Sequence, residues 1–293
     1  MFGRSSGKID LPSIPATLAR IIQITNSVEA SSDEVAAVVM LDQALATKVL
    51  RIANSAFYGR RMRCESISQA VVTLGFTSIR NLAASASVVD ALFPKQMFPG
   101  FSWQDMWTHS VMCAVSSEAI YSRMSSYSPG NAEATFIGGL LHDVGKLIFA
   151  RALPDRFRQI VDTCSKTGTP MYEAEMQMLS MDHAKVGGEL AEEWGFSEKL
   201  RDAIAYHHAP QEAYQNEDLV LAVCAGNMLA KCIGTRYISG PGQELTLEAI
   251  AGVADIAPDG MDEVAETVRE RMEECKEILA CGDGMPSSSQ LAA

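Results

Sequence analysis

The sequence predicts an all-α fold, and three observations predict it. Apolar residues recur at offsets of three, four, seven and eight along most of the chain, the spacing that gathers them on one face of a helix. Strand-type alternation never runs far. Helix-start and helix-stop residues bracket the periodic segments. With 293 residues and 47% hydrophobic content, the chain can bury a sizeable core, as one large domain or as two lobes.

Leu11-Pro12-Ser13-Ile14-Pro15 is an extended lead-in, and Pro15 can start a helix over residues 16–26 with Leu18, Ile21, Ile22 and Thr25 on one face. Ser32-Asp33-Glu34 opens a second helix that carries the apolar residues 35–41. Residues 42–53 continue as a helix with Leu45, Val49 and Ile52 inward, and Asn54-Ser55-Ala56-Phe57-Tyr58-Gly59 breaks it. That break reads either as a helix end with an aromatic plug or as a binding surface. Residues 66–74 and 77–89 form two helices separated by Gly75-Phe76, and residues 94–103 read as the linker to a second lobe. Helical patterns follow over 107–121, 138–151, 183–194 and 197–208, with Ser197 as an N-cap and Pro210 as the stop. Residues 219–233 place Val220, Val223, Cys224, Asn227 and Lys231 along one face. After a loop over 234–242, patterns at 245–254 and 260–279 close the fold; the second shows Val264, Val268, Met272, Cys275 and Leu279 in a stripe. The composition of residues 282–293 is that of a disordered tail.

The polar residues that fall on apolar faces are the informative ones. His142 and Asp143 stand side by side in the apolar run Gly138–Arg151, where burying either is costly without a partner. Imidazole nitrogen and carboxylate oxygen are both donors to zinc, iron or manganese. Lys146 lies three residues after Asp143, so a helix would project it to the same side, to neutralise the carboxylate or to meet a phosphate oxygen. The other histidines, His109, His183, His207 and His208, also line up with apolar stripes. One such histidine is ordinarily a packed core residue. Five of them on four predicted helices are more readily explained by a metal centre.

Charge excludes other classes. Residues 1–100 hold 10 Lys/Arg and 7 Asp/Glu, and residues 101–293 hold 14 and 29, giving a net charge of −12. An acidic chain lacks the clustered cations that DNA or RNA phosphates require, and Arg60, Arg61 and Arg63 are too few to supply them. Seven scattered cysteines without a Cys-x-x-Cys pair read as reduced thiols. No signal-peptide core and no membrane-length apolar run is present, so a cytoplasmic location is expected.

Three blocks resemble the signature segments of the HDOD (HD-related output domain) family: Leu11–Pro15, Lys48-Val49-Leu50-Arg51-Ile52-Ala53-Asn54-Ser55-Ala56-Phe57-Tyr58-Gly59 and Ile67-Ser68-Gln69-Ala70-Val71-Val72-Thr73-Leu74-Gly75. The segments around His109, His142-Asp143, His183 and His207-His208 are similar to the wider HD superfamily, which includes the HD-GYP cyclic-di-nucleotide phosphodiesterases. The resemblance implies an N-terminal HDOD lobe over residues 9–100 after a tail at 1–8. It implies an HD-like lobe at 101–235 and C-terminal helices at 236–281, followed by the tail at 282–293. It also implies metal ligands at His109, His142, Asp143, His183, His207 and His208, enough for one or two transition-metal ions, with iron favoured and manganese, nickel or zinc allowed. Lys146 matches the phosphate-contacting lysine of the HD-GYP relatives.

Two positions depart from that pattern. Asn227 stands where HD enzymes usually close the ligand set with an aspartate, and Ala209-Pro210-Gln211-Glu212-Ala213-Tyr214 replaces the Gly-Tyr-Pro loop. The expectation is therefore a cytoplasmic regulatory protein with a metal-binding HD-type site, not a cyclic-di-nucleotide phosphodiesterase. Such a protein would act on a signalling partner in trans, with no DNA, RNA or membrane partner and with a homo-oligomer allowed. Two alternatives stand beside it: a metal-dependent phosphohydrolase that uses Lys146 catalytically, and an interaction module whose histidines are merely packed.

Overall fold

Several helices begin where the sequence supplies a capping side chain. The computed structural model describes residues 9–54, 58, 63–94, 96–234, 236–238, 241 and 245–282. Helix α1 (Ala16–Thr25) starts behind Pro15. Ser31 caps α2 (Ser32–Met40) in a reciprocal pair with Glu34, and Asp42 caps α3 (Gln43–Ala53) by accepting from the Leu45 N–H. Helix α4 (Ile67–Leu92) is capped by Ser66 and bends at Gly75, whose φ of +84° is one that residues with a Cβ rarely adopt. The non-helical backbone of Gly75 thus separates two helical segments, as the sequence predicts. The apolar faces of α1 to α4 bury Leu18, Ile21, Val35, Val39, Leu45, Val49, Ile52 and Ile79, each worth roughly 1.5–3 kcal/mol of transfer free energy.

Helix α5 (Trp103–Tyr121) is buried nearly all round, its small serines and His109 included. It packs against α6 (Pro129–Leu141), α12 (Glu217–Ile233) and α14 (Pro258–Glu274). Around it lie α7 (Val144–Ala152), α8 (Pro154–Thr167), α9 (Met171–Leu179), α10 (His183–Glu193), α11 (Glu198–Ala205), α13 (Leu247–Ala254) and α15 (Lys276–Leu279). Among the described residues there is no strand, only isolated bridges from Phe101 to Phe98 and to Ile238. The fold is all-α, as predicted. All seven cysteines are free thiols.

The stretch expected as a linker is packed into the core. Phe98, Phe101 and Trp103 are buried, Trp103 stacks on Phe157 with centroids 5.7 Å apart, and α5 already begins at Trp103 behind the Ser102 cap. Of the 54–59 segment only Asn54 and Tyr58 are described, and both serve the fold. Asn54 exchanges two hydrogen bonds with the Cys64 backbone, and the buried Tyr58 donates to Glu133 on α6 at 3.0 Å. Ser55, Ala56, Phe57, Gly59, Arg60, Arg61, the N-terminal tail 1–8 and residues 283–293 lie outside the described residues.

Three expected helices end differently. The apolar run through 138–151 divides at His142-Asp143 into α6 and α7, so the pair sits at a junction and not within one helix. The helix expected to run through His208 stops at Ala205, before Pro210 can act. In both places a histidine ring makes the stop, because its Nδ1 bonds the carbonyl three residues earlier: His142 to Gly139 at 2.7 Å and His207 to Ile204 at 2.8 Å. The stripe over 260–279 is real but divides at Cys275 between α14 and α15.

Candidate metal centre

The ring nitrogen that closes each helix decides what the other nitrogen can do. With Nδ1–H given to a carbonyl, His142 and His207 must present unprotonated Nε2 atoms, and both point into the same interior. His183, the first residue of α10, is held the same way: its Nδ1 and its backbone N–H both donate to Glu175 Oε2, at 2.6 and 2.8 Å. Its Nε2 then lies 3.1 Å from His208 Nε2 and 3.1 Å from Asp143 Oδ1. One proton or one cation can satisfy both nitrogens. Gly145 permits this arrangement, since a Cβ there would stand 2.0 Å from the His183 carbonyl oxygen.

Asp143 is the centre of the cluster, 1% exposed, and its two oxygens face different company. Oδ1 is 3.1 Å from His183 Nε2, 3.4 Å from His142 Nε2 and 3.9 Å from His207 Nε2. Oδ2 takes the Lys146 ammonium at 2.6 Å and the Tyr237 hydroxyl at 3.0 Å, with His109 Nε2 at 4.0 Å. Lys146 Nζ also donates to Tyr237 Oη at 2.6 Å. Of the two roles open to Lys146 from sequence, the structure has it neutralising Asp143.

Charge follows from these contacts. Burial opposes ionisation of Asp143, but His142, Lys146 and His183 outweigh it and hold the carboxyl well below the usual carboxylate range. Burial pushes His142 down to about 4 and holds His109, His207 and His208 well below the usual imidazole value. Burial acts the same way on His183, but Glu175 reverses it and raises that ring. Burial and Asp143 keep the Tyr237 phenol protonated, so it serves as a donor.

His183, His207 and His208 open onto a cavity of about 310 Å³, which Lys146, Asn227, Lys231, Arg236, Tyr172 and Tyr237 also line. Tyr172 stacks on His208 with centroids 4.3 Å apart. Among the described residues none that lines it is a carboxylate, although the chain as a whole carries a net charge of −12. Burial and neighbouring Lys146 push Lys231 down to about 8.

The sequence-predicted set therefore comes together: His109, His142, Asp143, His183 and His207 are buried in one cluster with the half-buried His208, with Lys146 inside it and Asn227 in the cavity wall. Glu175 and Tyr237 were not among the predicted residues. Glu175 lies on α9, in a stretch to which the periodicity argument assigned nothing, and Tyr237 lies in the segment after α12. A signal for Glu175 existed, since Ala174-Glu175 falls on the apolar side of a short helix headed by Met171.

The donors fit a transition-metal ion. The ligand atoms of His183, His207 and His208 lie within 4.8 Å of one another, and so do those of His109, His142 and Asp143. Nε2 of His142 and of His207, together with Oδ1 of Asn227, are buried and make no hydrogen bond, a costly arrangement that a bound cation relieves. Nitrogen-rich donors suit first-row transition metals better than calcium or magnesium.

Known proteins with this architecture are HDOD and phosphohydrolase-type proteins. The chain is 26% identical to an HDOD domain protein of unknown function from Geobacter sulfurreducens, with a TM-score of 0.69 over 92% of this chain and 93% of that one. It shares its fold with a candidate phosphohydrolase from Shewanella amazonensis SB2B (23% identity, TM-score 0.70, 92% and 94% covered). The same holds for a candidate signal transduction protein from Marinobacter aquaeolei VT8 (24% identity, TM-score 0.70, 93% and 60% covered). An uncharacterised protein from Treponema pallidum (strain Nichols) is 25% identical over 229 residues, 75% of this chain, which spans only 42% of that relative. The HDOD domain family matches residues 11–210, more than half of the chain, and the protein belongs to the HDOD family.

Proposed function

We propose that this chain is a regulatory module that holds a transition-metal ion in its histidine cluster and receives a small anionic ligand in the adjoining cavity, without turning it over. The observation that carries this reading is the meeting of two features. Metal donors line one wall of a cavity whose remaining ionisable lining, among the described residues, is Lys146, Lys231, Arg236, two tyrosines and two cysteines, with no carboxylate. Iron is the favoured ion, with manganese, nickel or zinc as alternatives. A metal bound there would supply a Lewis acid beside the cavity. The protein's own groups orient the donors through Glu175, Gly139 and Ile204, and draw in an anion through Lys231 and Arg236.

Three features favour binding over hydrolysis. The Lys146 ammonium is already engaged by Asp143 and Tyr237 and does not reach out to a phosphate. Asn227 offers a neutral amide where a carboxylate would strengthen the metal's hold. The Gly-Tyr-Pro loop is absent from the sequence after His208. Output would then pass to a signalling partner in trans, in the cytoplasm. Among the described residues no helix is long and apolar enough to cross a membrane.

The phosphohydrolase reading keeps its own observation, the complete set of histidines around a buried carboxylate. The test is a panel of cyclic di-nucleotides, nucleotides and a generic aryl phosphate, assayed with the protein loaded with iron, manganese or nickel. The expected result is binding of anionic ligands without turnover. Hydrolysis that His183→Ala abolishes would replace the regulatory reading with an enzymatic one.

A further inference from the structure

We infer that Lys231 is a carbamylation site: its amine adds carbon dioxide and so places a carboxylate of the protein's own making in the cavity. The inference concerns the cavity of the proposed function, but it needs neither a bound metal nor a bound ligand.

Lys231 lines the cavity from the last turns of α12, on the same side as Cys224 and Asn227, seven and four residues earlier. Among the described residues its side chain makes no hydrogen bond and no ion pair. The cavity holds two further cations, Lys146 and Arg236, and none of its described lining residues is a carboxylate. The buried carboxylates close by are already engaged. Asp143 Oδ2 accepts from Lys146 at 2.6 Å and from Tyr237 at 3.0 Å, and Glu175 Oε2 accepts twice from His183. An ammonium on Lys231 therefore stands among like charges without a counter-ion of its own.

That setting favours the free amine. Burial and Lys146 lower Lys231 to about 8, against the opposing pull of Asp143. About a tenth of the chains then carry the nucleophilic form at neutral pH, far more than for a lysine at its ordinary value of ~10.4. In the reaction the nitrogen lone pair attacks the carbon of carbon dioxide. An N–C bond forms, one C=O π pair moves onto oxygen, and the proton leaves the nitrogen for solvent. A cavity of about 310 Å³ accommodates the added group. An aldehyde would react with the same amine, but the protonated imine keeps the positive charge. The carbamate replaces a repelled cation with an anion, in a cavity that Lys146 and Arg236 also line, and the electrostatics select it.

The test uses the full chain, equilibrated with carbon-13 bicarbonate, as wild type and as Lys231→Arg, which keeps a cation but loses the nucleophile. Lys231→Met is the second variant, and circular dichroism checks that each is folded. Carbon-13 NMR reads the carbamate, and alkylation with triethyloxonium followed by peptide mass spectrometry locates it. A carbamate resonance and an ethoxycarbonyl group on Lys231 are expected in the wild type. Both are expected to vanish in the two variants, apart from the background of the chain's terminal amine. A wild type without a carbamate on Lys231 overturns the inference, and so does a non-terminal carbamate that persists undiminished in Lys231→Arg. Calorimetry with inorganic phosphate in bicarbonate-free buffer tests the anion-binding proposal separately. Phosphate binding without a carbamate overturns this inference alone, and a carbamate without phosphate binding supports it while overturning that proposal.

Discussion

The two faces of Asp143 are satisfied in different ways. Its inner oxygen is met by the protein's own cation and by a phenol held in the aromatic core; its outer oxygen faces three imidazoles whose nitrogens lack enough protons to go round. The inner face therefore behaves as structure, because every charge there has its partner in the chain. The outer face behaves as a site, since its polar atoms are costly as they stand and relieved by a ligand. The difference teaches that a buried ionisable cluster is not uniformly functional, and that the unsatisfied half is the one to probe.

The largest expected effect breaks both faces at once. Asp143→Ala leaves the Lys146 ammonium 2% exposed and without its counter-ion, and should cost about 3–5 kcal/mol of stability. Urea unfolding with a chelator present measures this separately from metal loss. Next is Gly145→Ala. The added Cβ meets the His183 carbonyl, backbone that cannot step aside, so the outer half should distort at a cost of roughly 1–3 kcal/mol while the Lys146–Tyr237 pair persists. A lower midpoint together with lost metal binding is the expected result.

Glu175→Gln sharpens the comparison, because it touches only the outer face. Losing the carboxylate that orients His183 should weaken metal binding by about 10–100-fold, as read by competition with a chelator, with a much smaller change in unfolding midpoint. The smallest effect near neutrality is that of pH on the chelated protein. His109, His142, His207 and His208 have folded values below 6.5, so the unfolded chain binds their protons first. The stability they contribute is complete above pH 6.5 and falls as pH drops toward about 4, the value for His142. His183, whose value is raised, runs the other way: its contribution is full below 6.5 and is lost as pH rises through the raised value. The net slope of melting temperature should be positive from pH 4 to 6.5 and shallow above it.

Much of the fold was legible because it is written in stripes and caps. Leu45, Val49 and Ile52 face inward as their spacing requires, Ser197 caps the helix it precedes, and Gly75 divides α4. The helix ends at His142 and His207 were not legible, because a side chain and no glycine or proline makes them, and periodicity carries no record of a ring bonding a carbonyl. The histidines could be selected from sequence because imidazoles on apolar faces are conspicuous. Glu175 was passed over, since beside Glu173 on a short helix it looks like part of a solvated acidic face, and only its apolar-side spacing from Met171 hints at its burial. Tyr237 belongs to a segment whose place against Phe101 only the tertiary fold decides.

The most direct test of the central claim is anomalous diffraction from crystals of the metal-loaded wild-type chain, measured at the absorption edge of the bound metal. The account predicts anomalous signal inside the cluster, among the histidine Nε2 atoms that face Asp143. No anomalous signal at the cluster would contradict it.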